Sequence, residues 1–336
     1  MKNNNITLFI PGLWALLGHA GSETIQSMQA LQQILKRCDR RTESSLESEA
    51  LLLNRLGWQG DENIDAPIAV LERLATGSDG YWFRADPVNL QEDQNYLMMS
   101  YPSVLDLELE EAEAIAESIN QHFSEDGWSL SVEDKQCWYL KLDKDPGIQT
   151  TPSWRVVGRD VFGLMPVGEN YQQWHAWLME LQMLLFNHPV NEARLEQGQA
   201  PVSGLWLWGG GELPILTSST ILLRGDSPFM LGVSRLSACE IKTLPDDMSK
   251  IYDDVEPNTE QLIMLEYVRF ALQSGSMEQG KAALKQLEDE VFHPLPGLLK
   301  SKKIDSLTII DTPGHIVKIS ASGIRKWWRR RAIQVG

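Results

Sequence analysis

Three groups of residues have types and spacings that could do chemistry. The first is His188, Asn191 and Arg194, three polar side chains within two helical turns of one another, beside Pro189. An imidazole, an amide and a guanidinium at that spacing can hold an anion, and equally they can cap helix ends. The second follows directly: a strand-like Leu205-Trp206-Leu207-Trp208 runs into Gly209, Gly210 and Gly211, where missing Cβ atoms let a ligand or another chain segment approach the backbone. The third is a pair of short polar patterns, Asp86-Pro87-Val88-Asn89 and Gly158-Arg159-Asp160. In these, Asp86, Asn89, Arg159 and Asp160 either brace turns or face a cleft.

What is absent narrows the chemistry. The six histidines stand singly at 19, 122, 175, 188, 293 and 315, with no His-x-His and no Asp-His pair. A closely spaced metal pair needs several carboxylates and imidazoles together, so no metal ligand is assigned and no cofactor is expected. Ser44, Ser45 and Ser48 have neither a neighbouring His nor a Gly-x-Ser-x-Gly elbow, so nucleophilic catalysis finds no support. Cys38, Cys137 and Cys239 lie far apart, which points to a reducing compartment and a cytoplasmic location.

The elements that must position these residues can be read from periodicity. Tyr171, Trp174, Leu178, Leu181 and Leu185 recur at helical spacing, and Pro189 ends that helix. A short helix over 190–197 then stops at Gly198. Residues 6–10 predict an opening strand, and 23–38, 44–56 and 66–74 predict helices. Residues 81–90 and 96–100 read as strands, 107–123 as an amphipathic helix, and 128–132 with 136–142 as a hairpin. Farther on, 219–223 reads as a strand, 228–238, 259–273 and 277–290 as helices, and 304–310 with 316–319 as a second hairpin across Asp311-Thr312-Pro313-Gly314. The sum is an α/β fold, a mixed sheet flanked by helices, divided into an N-terminal region 1–150 and a C-terminal region 151–336.

Composition bounds the partners. The chain has 336 residues, 43% of them hydrophobic, and a net charge of −16. Such acidity argues against wholesale nucleic-acid binding. The exception is IRKWWRRRA at 324–332, a predicted basic helix in which Arg325, Lys326, Trp327, Arg329, Arg330 and Arg331 form a candidate anion-binding face for nucleic acid or an anionic ligand. The apolar N-terminal run is broken by Pro11-Gly12 and does not read as a leader, and nowhere is there a run of about 18 apolar residues, so no membrane span is expected.

The run HPVNEARLEQGQAPVSGLWLWGGGELP at 188–214 resembles a segment of archaeal-type cofactor-independent phosphoglycerate mutases. With ADPVNLQ at 85–91, Gly158-Arg159-Asp160 and the basic Trp-rich end, the chain also resembles a bacterial family described as regulatory protein of the Rpf-E type. The resemblance implies a fold distantly like the alkaline-phosphatase and phosphoglycerate-mutase superfamily. Active mutases of that kind carry two metals and a Ser nucleophile, and their first strand feeds an Asp-Gly pair. Here the matching place reads Phe9-Ile10-Pro11-Gly12, and Trp208 stands where the relatives tend to carry an Arg. The expectation is therefore a non-catalytic regulatory protein that binds a protein partner on a mutase-like scaffold. The alternatives are a phosphoglycerate mutase or other phosphoryl-transfer enzyme, and a nucleic-acid-associated module acting through the basic end.

Overall fold

The Asn5–Phe9 strand lies at the middle of a seven-stranded sheet, and its five residues are apolar or small enough to be buried on both faces. In a computed structural model, described over residues 4–60, 65–74, 79–93, 96–100, 104–217, 220–253, 258–311, 314–326 and 328, this strand pairs in parallel with Glu260–Met264 on one side and Ser306–Ile310 on the other. Ile221–Arg224 and Glu240–Lys242 extend the parallel part. Gly314–Ser320 returns antiparallel beside Ser306–Ile310, and Arg40–Ser44 closes that edge. The sheet is thus mixed, and one face packs on the helices Leu13–Ser27, Gln29–Arg37, Met277–Gln286 and Leu295–Ser301 through Ile6, Leu8, Ile263 and Ile309. The fold is α/β, as the alternation of strand and helix patterns predicts.

The chain gathers into two compact units. One compact unit is Met1–Glu62 with Ile215–Gly336, and the other is the continuous stretch Asn63–Pro214. The reason lies in strand pairing. The first strand finds its neighbours some 250 and 300 residues later, at Glu260 and Ser306, so both ends of the chain build one sheet and the middle is an insertion.

The inserted unit has its own antiparallel sheet, ordered Gly204–Gly211, Tyr81–Val88, Trp138–Leu142, Ser129–Val132. Alternation sends Tyr81, Phe83 and Ala85 to the helices Leu109–His122 and Tyr171–Phe186, and Trp82, Arg84 and Asp86 to the opposite face. Phe123, Trp128 and Trp174 stack in series in this core, with ring centroids 4.5 and 5.6 Å apart.

Several predicted elements change type. The 259–273 helix is a buried strand, Glu260–Met264, followed by a helix, Tyr267–Gln273. A short apolar run carries no period that separates a buried strand from a buried helix. The 23–38 helix is replaced by two helices that meet at Met28, and 44–56 by a strand, Arg40–Ser44, and a helix, Ser48–Arg55. Gly209–Gly211 is not a turn after a strand but the end of the strand itself, fully buried. The expected terminal helix is turn-like over 321–325, while Trp327, Arg329, Arg330 and Arg331 lie outside the described residues.

Candidate functional site

In the inserted unit, the first predicted group is built from His188 upward. His188 ends the Tyr171–Phe186 connection and caps the helix Pro189–Glu196, its Nδ1 accepting the Val190 N–H at 3.2 Å. Sequence reading had the ring capping the preceding helix instead. Since Nδ1 accepts, Nε2 carries the proton and faces Ser118 Oγ at 2.9 Å, and that hydroxyl donates to the Ala114 carbonyl. Burial pushes the His188 pKa below its ordinary value, against a smaller opposing effect from the Ala114 carbonyl. The ring is thereby held neutral, the state that capping requires.

Asn191 and Arg194 complete the knot. The Asn191 amide donates to the Leu185 and Val202 carbonyls at 2.7 and 2.8 Å and accepts the Val202 N–H at 2.8 Å. Arg194 is 1% exposed. It donates to the Ala200 carbonyl at 2.8 Å, to Glu111 at 2.7 Å and to the Leu105 carbonyl. Its guanidinium is thus committed to the protein's own oxygens, and Glu111 also belongs to the capping box that starts the Leu109–His122 helix.

The glycines lie at the other end of the strand that begins beside this knot. Eight extended residues separate the ends by roughly 25 Å, so the His188 joint and the triplet are not neighbours. What approaches the glycines is protein. A Cβ on Gly210 would sit 2.2 Å from the Phe83 ring and one on Gly211 2.5 Å from Pro67, and Gly209, at φ 64°, donates its N–H to Asp65 at 2.6 Å. Asn89 is likewise engaged, donating to the Pro201 carbonyl at 2.9 Å and accepting from Ser100 at 3.0 Å. Asp160 accepts the N–H groups of Leu97 and Phe162, both at 3.3 Å, while Arg159 is exposed.

Asp86 enters a charged constellation. Its carboxylate accepts from Arg84 at 2.8 Å and from the Trp208 indole at 2.6 Å. Arg84 also reaches Glu72 at 3.1 Å, and its guanidinium lies 5.3 Å from the Tyr139 ring and 5.2 Å from the Trp208 ring. Burial works against the Arg84 charge, but Asp86 and Glu72 outweigh it and hold the pKa well above the ordinary value. Burial raises the Glu72 carboxyl despite Arg84, and pushes the Cys137 thiol, 3.2 Å from the Tyr139 hydroxyl, up to about 12. Sequence reading missed Arg84, Glu72 and Tyr139. The signal that could have found Arg84 is its place two residues before Asp86, on the same face of one strand.

In the other unit, buried charge gathers at the carboxyl ends of the parallel strands, where open α/β sheets bind ligands. Glu47, Glu49, Arg224, Arg269 and Asp311 are each no more than 6% exposed. Asp311, just past the Ser306–Ile310 strand, accepts the N–H groups of Gly12 and Trp14 at 2.8 and 2.6 Å and so caps the Leu13–Ser27 helix. Arg269 packs under the Gly12 turn, its Cα 3.5 Å from where a Cβ on Gly12 would lie, and pairs with Glu49 at 2.6 Å. Burial opposes that charge, yet Glu49, Glu266 and Glu47 raise the Arg269 pKa above its ordinary value. Reading 259–273 as one helix concealed this residue. Arg325 donates to the Lys300 carbonyl on the same unit.

Comparison with known proteins follows this geometry. No family model matches the chain. The sequence is similar to cofactor-independent phosphoglycerate mutases. A probable 2,3-bisphosphoglycerate-independent phosphoglycerate mutase of Geobacter sulfurreducens is 23% identical over 71% of this chain. The enzyme of that name from Methanothrix thermoacetophila is 27% identical over 44% of this chain. The matches span 64% of the first protein and 37% of the second, so the chain corresponds to part of each. Among solved structures, a cofactor-independent phosphoglycerate mutase from Thermoplasma acidophilum aligns over 100% of this chain and 94% of that one, with a TM-score of 0.45 and 14% identity.

The two metals implied by the resemblance find no donor set. Among the described residues, no group of three or more His, Cys, Asp or Glu side chains is placed to hold a metal ion. The first strand ends in Pro11-Gly12, without a carboxylate, and Asp311 accepts helix N–H groups.

Proposed function

We propose that this protein is a non-catalytic, partner-binding regulator built on a phosphoglycerate-mutase-like scaffold, in keeping with its resemblance to the bacterial Rpf-E type. One observation carries the reading: at the carboxyl edge of the larger sheet the Arg269 guanidinium is bound to Glu49 and the Asp311 carboxylate to the Gly12 and Trp14 N–H groups. A phosphoryl-transfer site needs cations and carboxylates free to meet substrate and metal. The inserted unit supports it independently. Arg84 is already neutralised by Glu72 and Asp86, and the Trp208 indole beside it can donate one hydrogen bond but cannot match a phosphate bidentately. Three free cysteines fit a cytoplasmic protein, and no helix among the described residues is long and apolar enough to cross a membrane.

The names of the relatives favour the rival reading, a mutase or other phosphoryl-transfer enzyme. The deciding experiment is an assay of 3- to 2-phosphoglycerate interconversion with Mn²⁺ or Mg²⁺. The expected result is no turnover above buffer. Metal-dependent turnover that disappears in Asp311→Asn would overturn the proposal. The nucleic-acid reading of Arg325, Lys326 and their neighbours is tested separately by single-stranded DNA binding at low and high salt, and the expected outcome is no specific complex.

A further inference from the structure

The Tyr171–Phe186 helix is apolar on two opposite faces. One face, with Trp174, Leu181 and Leu185, is buried in the core of the inserted unit. On the other, Met179, Met183 and Phe186 fall at i, i+4 and i+7 and are 67, 72 and 80% exposed. A helix with a second apolar stripe needs a second covering, because a solvent-facing helix normally turns charge outward. Three large side chains in line exceed the scattered single apolar residues that every surface shows. Methionine suits such a use, since its flexible thioether fits irregular partners.

We infer that this face docks a cationic amphipathic helix of a partner protein. The inference deepens the partner-binding reading above by naming the partner's chemistry. Charge decides among possible occupants. The Leu109–His122 helix, which touches this one through His122 and Glu180 at 2.7 Å, carries four glutamates and no Lys or Arg. The Tyr171–Phe186 helix carries Glu180 and no Lys or Arg. The Pro189–Glu196 helix adds Glu192 and Glu196, and its one cation, Arg194, is buried against Glu111. An apolar stripe on a helix whose one charged side chain is acidic, next to a helix with four glutamates, complements an apolar stripe among cations. A second copy of this chain meeting face to face would set the same carboxylates against each other, since a two-fold interface pairs a patch with itself. An anionic membrane surface would be repelled for the same reason. Length agrees as well: at 1.5 Å per residue the 16-residue helix offers about 24 Å, room for a partner helix of three to four turns.

The test uses the full chain and two fluorescein-labelled peptides of about 18 residues, helical by composition. One has Leu and Trp at i, i+3, i+4 and i+7 with Lys and Arg elsewhere, and the other has Glu at every cationic position. The cationic peptide should bind, by anisotropy, at least ~10-fold more tightly than its acidic counterpart, and a Met183→Ser/Phe186→Ser protein should lose at least ~10-fold of that affinity. Because both side chains are exposed, the variant should keep its far-ultraviolet circular dichroism. Should it not, peroxide oxidation of the unaltered protein supplies the answer: bound cationic peptide must slow sulfoxide formation at Met179 and Met183. No binding of the cationic peptide, equal affinity for both peptides, or unprotected methionines would overturn the inference. So would a dimer in sedimentation equilibrium, or capture by phosphatidylserine vesicles, that the double substitution abolishes. Mutase turnover, by contrast, sinks the non-catalytic reading and leaves this face to be judged by the peptides.

Discussion

Arg194 and Arg269 are both buried cations, and each is paired with a carboxylate that replaces water. Removing the cation alone should be expensive. We predict that Arg269→Met destabilises the protein by about 3–5 kcal/mol, because Glu49 is then left charged and unpaired, and that adding Glu49→Leu returns most of the loss. Urea titrations of the two single variants and the double variant form the cycle, and additive losses would refute the coupling. His188 gives a pH prediction. Its folded pKa lies below the ordinary 6.5 because the ring is buried and Nδ1 must stay unprotonated. In the unfolded chain the ring takes up a proton as pH falls through 6.5, and in the folded chain only at lower pH. Its contribution is therefore whole above that pH and is lost progressively below it. His188→Asn, which can still cap the helix, should flatten the stability profile below about pH 6.5. An unchanged profile would show that other groups set it.

At the scale of elements, the glycines of the Gly204–Gly211 strand act by what they leave out. Pro67 and Ile68, at the start of the Ile68–Arg73 helix, and Phe83 of the neighbouring strand lie so close to this strand end that a Cβ on Gly211, Gly209 or Gly210 would meet them. Phe83 is fully buried and has nowhere to move. Gly210→Ala should cost about 1–3 kcal/mol through overpacking, and Gly210→Val more. Gly297 is the contrast. It sits exposed in the Leu295–Ser301 helix with nothing within 4 Å of a added Cβ, so Gly297→Ala should stabilise by up to about 1 kcal/mol. Thermal melts of both variants check the pair, and matching shifts in one direction would contradict this packing account. At the start of the same strand, Asn191 bonds both polar groups of Val202, so the His188–Arg194 knot fixes where the strand begins.

At the scale of the molecule, the continuous unit Asn63–Pro214 has its own sheet, its own aromatic core and chain ends that lie near each other, as the contact of Gly211 with Pro67 shows. Such an insertion should fold alone. We predict that a fragment of residues 63–214 gives a near-ultraviolet circular dichroism spectrum from its stacked tryptophans and a single cooperative melt. A fragment with helical signal but no near-ultraviolet signal would show that its core depends on the rest of the chain. The complementary fragments 1–62 and 215–336 share one sheet and should not fold separately, because Asn5–Phe9 has no neighbour without Glu260–Met264 and Ser306–Ile310.

Local pattern carried much of this protein in the sequence alone. The opening strand, the 107–123 helix, both hairpins and the helix starting at Tyr171 follow from periodicity and turn residues, which are local signals. The scattered histidines and the Pro11-Gly12 step were also legible, since spacing alone bears on metal binding. What tertiary structure decided is everything that rests on pairing across distance. Glu260–Met264 is a strand only because Asn5–Phe9 and Ile221–Arg224 flank it, and the chain divides at 62 and 214 for the same reason. The site residues divide likewise. Residue type marked His188, Asn191, Arg194 and Asp86 as polar and close to turns, but hydrogen-bonding capacity is spent only once neighbours are in place. Three of the four turned out to serve backbone groups and one an arginine two residues away. Arg269 and Glu49 stand 220 residues apart, and no local spacing could announce their pairing.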